Sequence, residues 1–170
     1  MAGKAEGLKQ CPIFADLSGE ELQKVAGAAK EKTFPEGSTI FTESMAGQSL
    51  FVIRSGNVKI SKMLGEGDEK TLAILGPGDC FGEMAIVDGG PRSASAVVVK
   101  KAEVLTLDKK DFQVLCDGNP KLGYKLLASL TRVMVKRLRG AQDKLHAALE
   151  YALKGAPQGG KGGSLDIPIS

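Results

Sequence analysis

Glu83 and Arg92 stand nine positions apart inside a turn-rich stretch from Phe81 to Ala96, Phe-Gly-Glu-Met-Ala-Ile-Val-Asp-Gly-Gly-Pro-Arg-Ser-Ala-Ser-Ala. Arg92 offers a planar fork of N–H donors whose spacing matches phosphate oxygens. Glu83, when ionised, only accepts hydrogen bonds, so it suits a pair of hydroxyls such as those of a sugar. Gly82 has no Cβ and lets the backbone come close to a ligand. Glu83 to Ile86 can form one helical turn, whose first amides lack intrahelical partners and favour an anion. Gly89-Gly90-Pro91 then turns the chain and returns Arg92 over the same spot. Donors for a phosphate beside an acceptor for a sugar describe a nucleotide site.

Phe-Gly-Glu-x-Ala followed by Pro-Arg-Ser-Ala-Ser resembles the phosphate-binding cassette of the cyclic nucleotide-binding domains. That superfamily includes the catabolite activator protein, the regulatory subunits of protein kinase A and cyclic-nucleotide-gated channels. The resemblance runs from about Leu8 to about Leu145. It implies that Glu83 and the Gly82 amide hold a ribose, and that Arg92, Ser93 and the amides of Met84 and Ala85 hold a cyclic phosphate. The ligand so implied is cAMP or cGMP, with no catalytic cofactor. Ala73 and Leu75, alternating onto one face of the preceding strand, are candidates for a wall against the base. The C-terminal helix would close over the base as a lid, with Arg132, Arg137 and Gln142 as candidate contacts. Before Gly47 the family usually shows Glu-Gly-Asp; here Glu43-Ser44-Met45 stands instead, a departure expected to concern a loop alone. Ser93 permits cGMP, since its hydroxyl could accept from a guanine amino group, without demanding it.

These residues need a scaffold of short strands. The chain has 170 residues and 22 glycines, most of them at turn positions. Strand-like runs cover Ser38–Thr42, Leu50–Ser55, Asn57–Lys62, Lys70–Leu75, Ala94–Lys100 and Glu103–Asp108. Turn signals between them recur at the rhythm of a sandwich or roll. The expected fold is therefore mainly β, an antiparallel β-roll (jelly-roll) with flanking N-terminal and C-terminal helices. Ser55-Gly56 reads as the turn of a hairpin. Leu17-Ser18-Gly19-Glu20-Glu21-Leu22 opens a helix to about Lys30, with Ser18 and Glu21 as a capping box and Leu17 with Leu22 as a hydrophobic staple. Asp108 is expected to cap a short helix that ends near Gly118. Asn119-Pro120 starts a long helix to about Lys154, with Pro at its first position. The parts are then an N-terminal segment 1–16, a binding roll 17–118, a lid or dimerisation helix 119–154 and a glycine-rich tail 155–170.

Along the last helix a seam of Leu127, Thr131, Met134, Leu138, Ala141, Leu145, Ala148 and Ala152 is spaced alternately by four and three. It predicts a homodimer through this helix; the alternative is that the stripe packs on the chain's own roll. Gly140 predicts a bend. The tail ends in Ser164–Ser170, either an irregular terminus or a tethered docking peptide.

Lys+Arg 23 against Asp+Glu 20 leaves a net charge of +3, too mild to argue for nucleic acid. Three cysteines without a paired motif read as reduced thiols, no apolar run approaches a membrane span, and the N-terminus lacks a signal-peptide pattern. A cytoplasmic protein with no membrane or nucleic-acid partner is expected. Rolls are shared with metal-dependent cupin enzymes, but the single histidine, His146, falls on the terminal helix, away from the roll. The expectation is a non-catalytic receptor that signals to a separate effector protein. A transcription regulator of the catabolite activator type without its DNA-binding domain, or a roll that binds no nucleotide, are the alternatives.

Overall fold

A computed structural model describes residues 2–65 and 67–153. The chain divides into two compact units, residues 1–130 and 131–170. The tail from 155 to 170, with its Ser164–Ser170 peptide, lies outside the described residues.

The first unit opens with α1 (Ala2–Lys9), a 3₁₀ turn (Pro12–Phe14) and α2 (Gly19–Ala28). The expected capping box is present: Glu21 N–H donates to Ser18 Oγ at 3.3 Å, and Ser18 N–H donates to the Glu21 carboxylate at 2.7 Å. Leu17 and Leu22, the expected staple pair, are both buried. The helix ends at Ala28 because the next residues enter a strand. β1 (Lys30–Phe34) is a charged strand that the alternation of apolar residues does not announce. The segment 1–16 also exceeds its expectation, since Leu8, Cys11, Ile13 and Phe14 are core residues, each at most 1% exposed.

The sheet is built on two long antiparallel strands, β3 (Ser49–Met63) and β6 (Ser95–Asp108), paired along most of their length. β2 (Thr39–Phe41) and β1 pair with β6, while β4 (Glu69–Leu75) and β5 (Cys80–Phe81) pair with β3. This is the antiparallel roll with flanking helices that the sequence predicts. The expected hairpin at Ser55-Gly56 is not there. Gly56 sits inside β3, where the register to β6 shifts around Ser55 and Asn57. Its φ is +84°, and a Cβ there would meet Lys100 O and Ala102 Cα at 2.6 Å. The glycine thus serves a bulge that bends one continuous strand against its neighbour rather than a turn between two. For the same reason Ala94–Lys100 and Glu103–Asp108 merge into the single β6.

The interior of the roll is lined by Phe51, Ile53, Val58, Phe81, Val98 and Val104, with Phe41, Ile60 and Leu75 packed against them. α3 (Glu83–Val87), α4 (Lys109–Gly118) and α5 (Pro120–Leu153) complete the chain. Asp108 occupies the cap position of α4, but its carboxylate does not cap the helix. It accepts instead from Lys30 Nζ and from Ser49 Oγ, each at 2.7 Å. A charged partner on β1 and a hydroxyl on β3 outbid the α4 amides, and Asp108 becomes a cross-strand tie. Gly118 is the last residue of α4, with Asn119 at its boundary. Asn119 Oδ1 accepts from Leu122 N–H at 3.1 Å, capping α5 ahead of Pro120. Leu122, Leu126 and Leu130 are buried in the first unit, and Lys125 Nζ donates to the Glu21 carboxylate at 2.7 and 2.9 Å.

In the second unit α5 continues to Leu153 and is helical through Gly140. Leu138 and Leu145 of the seam are 59% and 61% exposed. No described helix is long and apolar enough to cross a membrane.

Candidate functional site

The chain turns sharply between β5 and α3, and Gly82 makes that turn at φ +76°. A Cβ at this position would lie 2.6 Å from Arg92 Nη1 and 2.7 Å from Ser49 O, so both the conformation and the space select glycine. Glu83 opens α3 and is buried, 6% exposed, with Ala85 also buried and Met84 turned outward. The amides of this first turn have no carbonyl partner within the helix. Gly90 N–H donates to Asp88 Oδ1 at 2.8 Å, which sets the turn that leads back to Arg92.

Arg92 is 6% exposed, an unusual burial for an arginine. Its Nη1 donates to Ser49 O at 3.0 Å and, more weakly, to Gly82 O at 3.4 Å. Its main chain is bracketed by the loop after β2: Arg92 N–H donates to Met45 O at 2.9 Å, and Ser44 N–H donates to Arg92 O at 2.8 Å. The Glu43-Ser44-Met45 departure therefore concerns more than a loop, because that loop holds the arginine's backbone. Ser44 adopts φ +65°, the left-handed region, at the place where the family's usual glycine would adopt it freely. Burial pulls the Arg92 guanidinium below its ordinary pKa, and the Glu83 carboxylate draws it back up. A guanidinium so placed stays charged. Among the described residues, Arg92 Nε is the only buried side-chain nitrogen or oxygen with no hydrogen-bond partner. A buried donor left over in this way asks for an explanation.

Ser93 is exposed and its Oγ donates to Met84 Sδ at 3.7 Å, a weak bond that leaves the hydroxyl easy to recruit. The turn and α3 thus bring Gly82, Glu83, Met84, Ala85, Arg92 and Ser93 into one constellation. Ala73 and Leu75 lie half-buried on the same face of β4, Leu75 against the core cluster. Arg132, Arg137 and Gln142 belong to the second unit, at exposed positions of α5. Residues that sequence reasoning did not single out complete the setting: Phe41, whose ring faces the Arg92 guanidinium, and Ser49, whose carbonyl receives its Nη1. Neither is legible from spacing, since each reaches Arg92 across the sheet.

The family profile described as Cyclic nucleotide-binding domain matches residues 31–119, more than half of the chain and all of this constellation. The chain belongs to the cyclic nucleotide-binding domain family. Its relatives include the cyclic AMP receptor protein of Thermus thermophilus, 38% identical over 138 residues, covering 81% of this chain and 62% of that protein. A cGMP-dependent protein kinase, egl-4 of Caenorhabditis briggsae, is 34% identical over 110 residues, covering 64% of this chain and 15% of the kinase. Among solved structures, a cyclic nucleotide-binding domain from Methylobacillus flagellatus KT superposes with a TM-score of 0.77 at 28% identity, covering 86% of this chain and 83% of that one. This cyclic nucleotide-binding domain thus spans only about three fifths of its Thermus relative.

Proposed function

We propose that this chain is a non-catalytic receptor for a cyclic purine mononucleotide, cAMP or cGMP. The observation that carries the proposal is the buried, charged Arg92 with an unpartnered Nε, set beside the first turn of α3. A donor that the protein leaves unsatisfied in a place with uncapped amides suits an anionic ligand. In this reading Arg92, Ser93 and the amides of Met84 and Ala85 take the cyclic phosphate, while Glu83 and the Gly82 amide take the ribose. Ala73 and Leu75 supply apolar surface to the base. Relatives named for cAMP and for cGMP support the ligand class and leave both nucleotides open.

The output of binding passes through α5 to a separate partner, and a second copy of this chain is one such partner. The exposed leucines at 138 and 145 support a helix-to-helix dimer. Three free cysteines support a reducing, cytoplasmic setting. Calorimetric titration with cAMP, cGMP and a cyclic dinucleotide tests the ligand. Saturable binding of the two mononucleotides is expected. Binding of the dinucleotide alone, or of none, would refute it.

A further inference from the structure

Three phenylalanines meet beneath the cassette arginine. Phe51 and Phe81 are buried and stack with ring centroids 4.9 Å apart, 8° from parallel. Phe41 leans on both, at 5.7 and 5.8 Å, so the pair fixes the orientation of its ring. The Arg92 Cζ lies 4.2 Å from the Phe41 centroid and 5.5 Å from that of Phe51, inside the range of cation–π attraction. Gly47 crowds the Nε/Nη2 edge of the same guanidinium: a Cβ there would stand 2.7 Å from Arg92 Nη2 and 2.8 Å from Cζ, so the space selects glycine.

This seat holds the cation without consuming its fork. Nη1 is anchored on Ser49 O, Cζ lies over the Phe41 ring, and Nε keeps no protein acceptor. A free arginine side chain surrenders rotamer entropy when it is immobilised. A seat that orders the guanidinium beforehand removes that loss from the binding step. We infer that Phe41 is a positioning residue that sets nucleotide affinity by holding the Arg92 guanidinium through its ring face. The inference rests on the cyclic-nucleotide reading of the site.

The test replaces Phe41 with mono-, di- and trifluorophenylalanine in the full chain, which keeps the ring's shape while draining charge from its face. Affinity for cAMP is measured by calorimetry, the melting temperature is followed, and the Arg92 side-chain N–H resonance is recorded without ligand. The expected result is a stepwise loss of affinity along the series, reaching about threefold to thirtyfold, with the cooperative melt retained. Phe41→Tyr should bind like the wild type, and Gly47→Ala should weaken binding while the fold persists. In the ligand-free protein the Arg92 N–H should lose its ring-current shift in Phe41→Leu. Equal affinity across the fluorinated series, with the wild type still binding cAMP, would reduce Phe41 to a filler and leave the cyclic-nucleotide reading standing. A wild type that binds no cyclic nucleotide would overturn both.

Discussion

The backbone of Arg92 hangs on Ser44: the Ser44 amide donates to the Arg92 carbonyl at 2.8 Å, and the neighbouring Met45 carbonyl accepts from the Arg92 amide at 2.9 Å. Ser44 holds this grip from a left-handed conformation that suits glycine better. For a residue with a Cβ that conformation costs about 1–2 kcal/mol, of which glycine's extra freedom in the unfolded chain would take back about half. Ser44→Gly should therefore stabilise the protein by up to about 1 kcal/mol, raising Tm by about 2–4 °C for a domain of this size. Thermal unfolding followed by circular dichroism checks this. A lower Tm would mean that the serine side chain compensates the strain.

Glu21 serves two masters, the cap of α2 and Lys125 on α5. The Lys125 bond foremost, then the Ser18 amide, holds its carboxyl below the usual value. Hydrogen bonds to Lys30 and Ser49 do the same for Asp108. A carboxyl depressed in the folded state binds a proton more readily when unfolded, so its stabilisation is present above the unfolded pKa. It is lost as pH falls below about 4.3 and through the folded value. Tm should drop over that acid range, and Glu21→Gln should be less stable at neutral pH with a shallower acid decline. Parallel Tm–pH curves for the two proteins would break the link.

Ser93 governs the choice between nucleotides in this account. Its hydroxyl now rests on the Met84 sulfur, a poor acceptor that either ligand can replace. A hydroxyl satisfied by phosphate alone leaves nothing unpaired when adenine binds, so cAMP and cGMP should differ by no more than about tenfold. Ser93→Ala should weaken cGMP more than cAMP, by about 1 kcal/mol. Competition titrations on both proteins decide it, and equal losses would show that Ser93 meets only the phosphate.

The exposed seam makes its own demand. If Leu138 and Leu145 meet a second copy, Leu138→Glu places charge in the middle of the contact and should yield a monomer. Light scattering on wild type and variant checks it. A monomeric wild type at high concentration, with and without ligand, would remove the dimer.

Local chemistry made much of this molecule legible. The Ser18–Glu21 box marked the start of α2 because cap and partner lie three residues apart, and Asn119-Pro120 marked α5 in the same way. Glu83 and Arg92 stood out because one turn joins them. What escaped was decided across the sheet. Gly56 looks like a turn until β6 is seen passing beneath it. α1 escaped because its Gly3 and Gly7 argue against a helix in isolation, yet Gly7 lets it lie on the stem of Arg54, where a Cβ would stand 3.0 Å from Cγ. Asp108 looked like a cap because Lys30 and Ser49 are far away in sequence. Phe41 is one aromatic residue in a short strand until its ring is found under Arg92.

The central claim, that Arg92 is the anion-binding group of a cyclic-nucleotide receptor, is tested most directly by titrating cAMP into the wild type and Arg92→Ala side by side. The account predicts saturable binding by the wild type. It predicts a loss of about 2–5 kcal/mol in the variant, roughly thirtyfold to several thousandfold in Kd, with the cooperative melt retained. Equal affinity in the two proteins, or a wild type that binds no cyclic nucleotide, would contradict it.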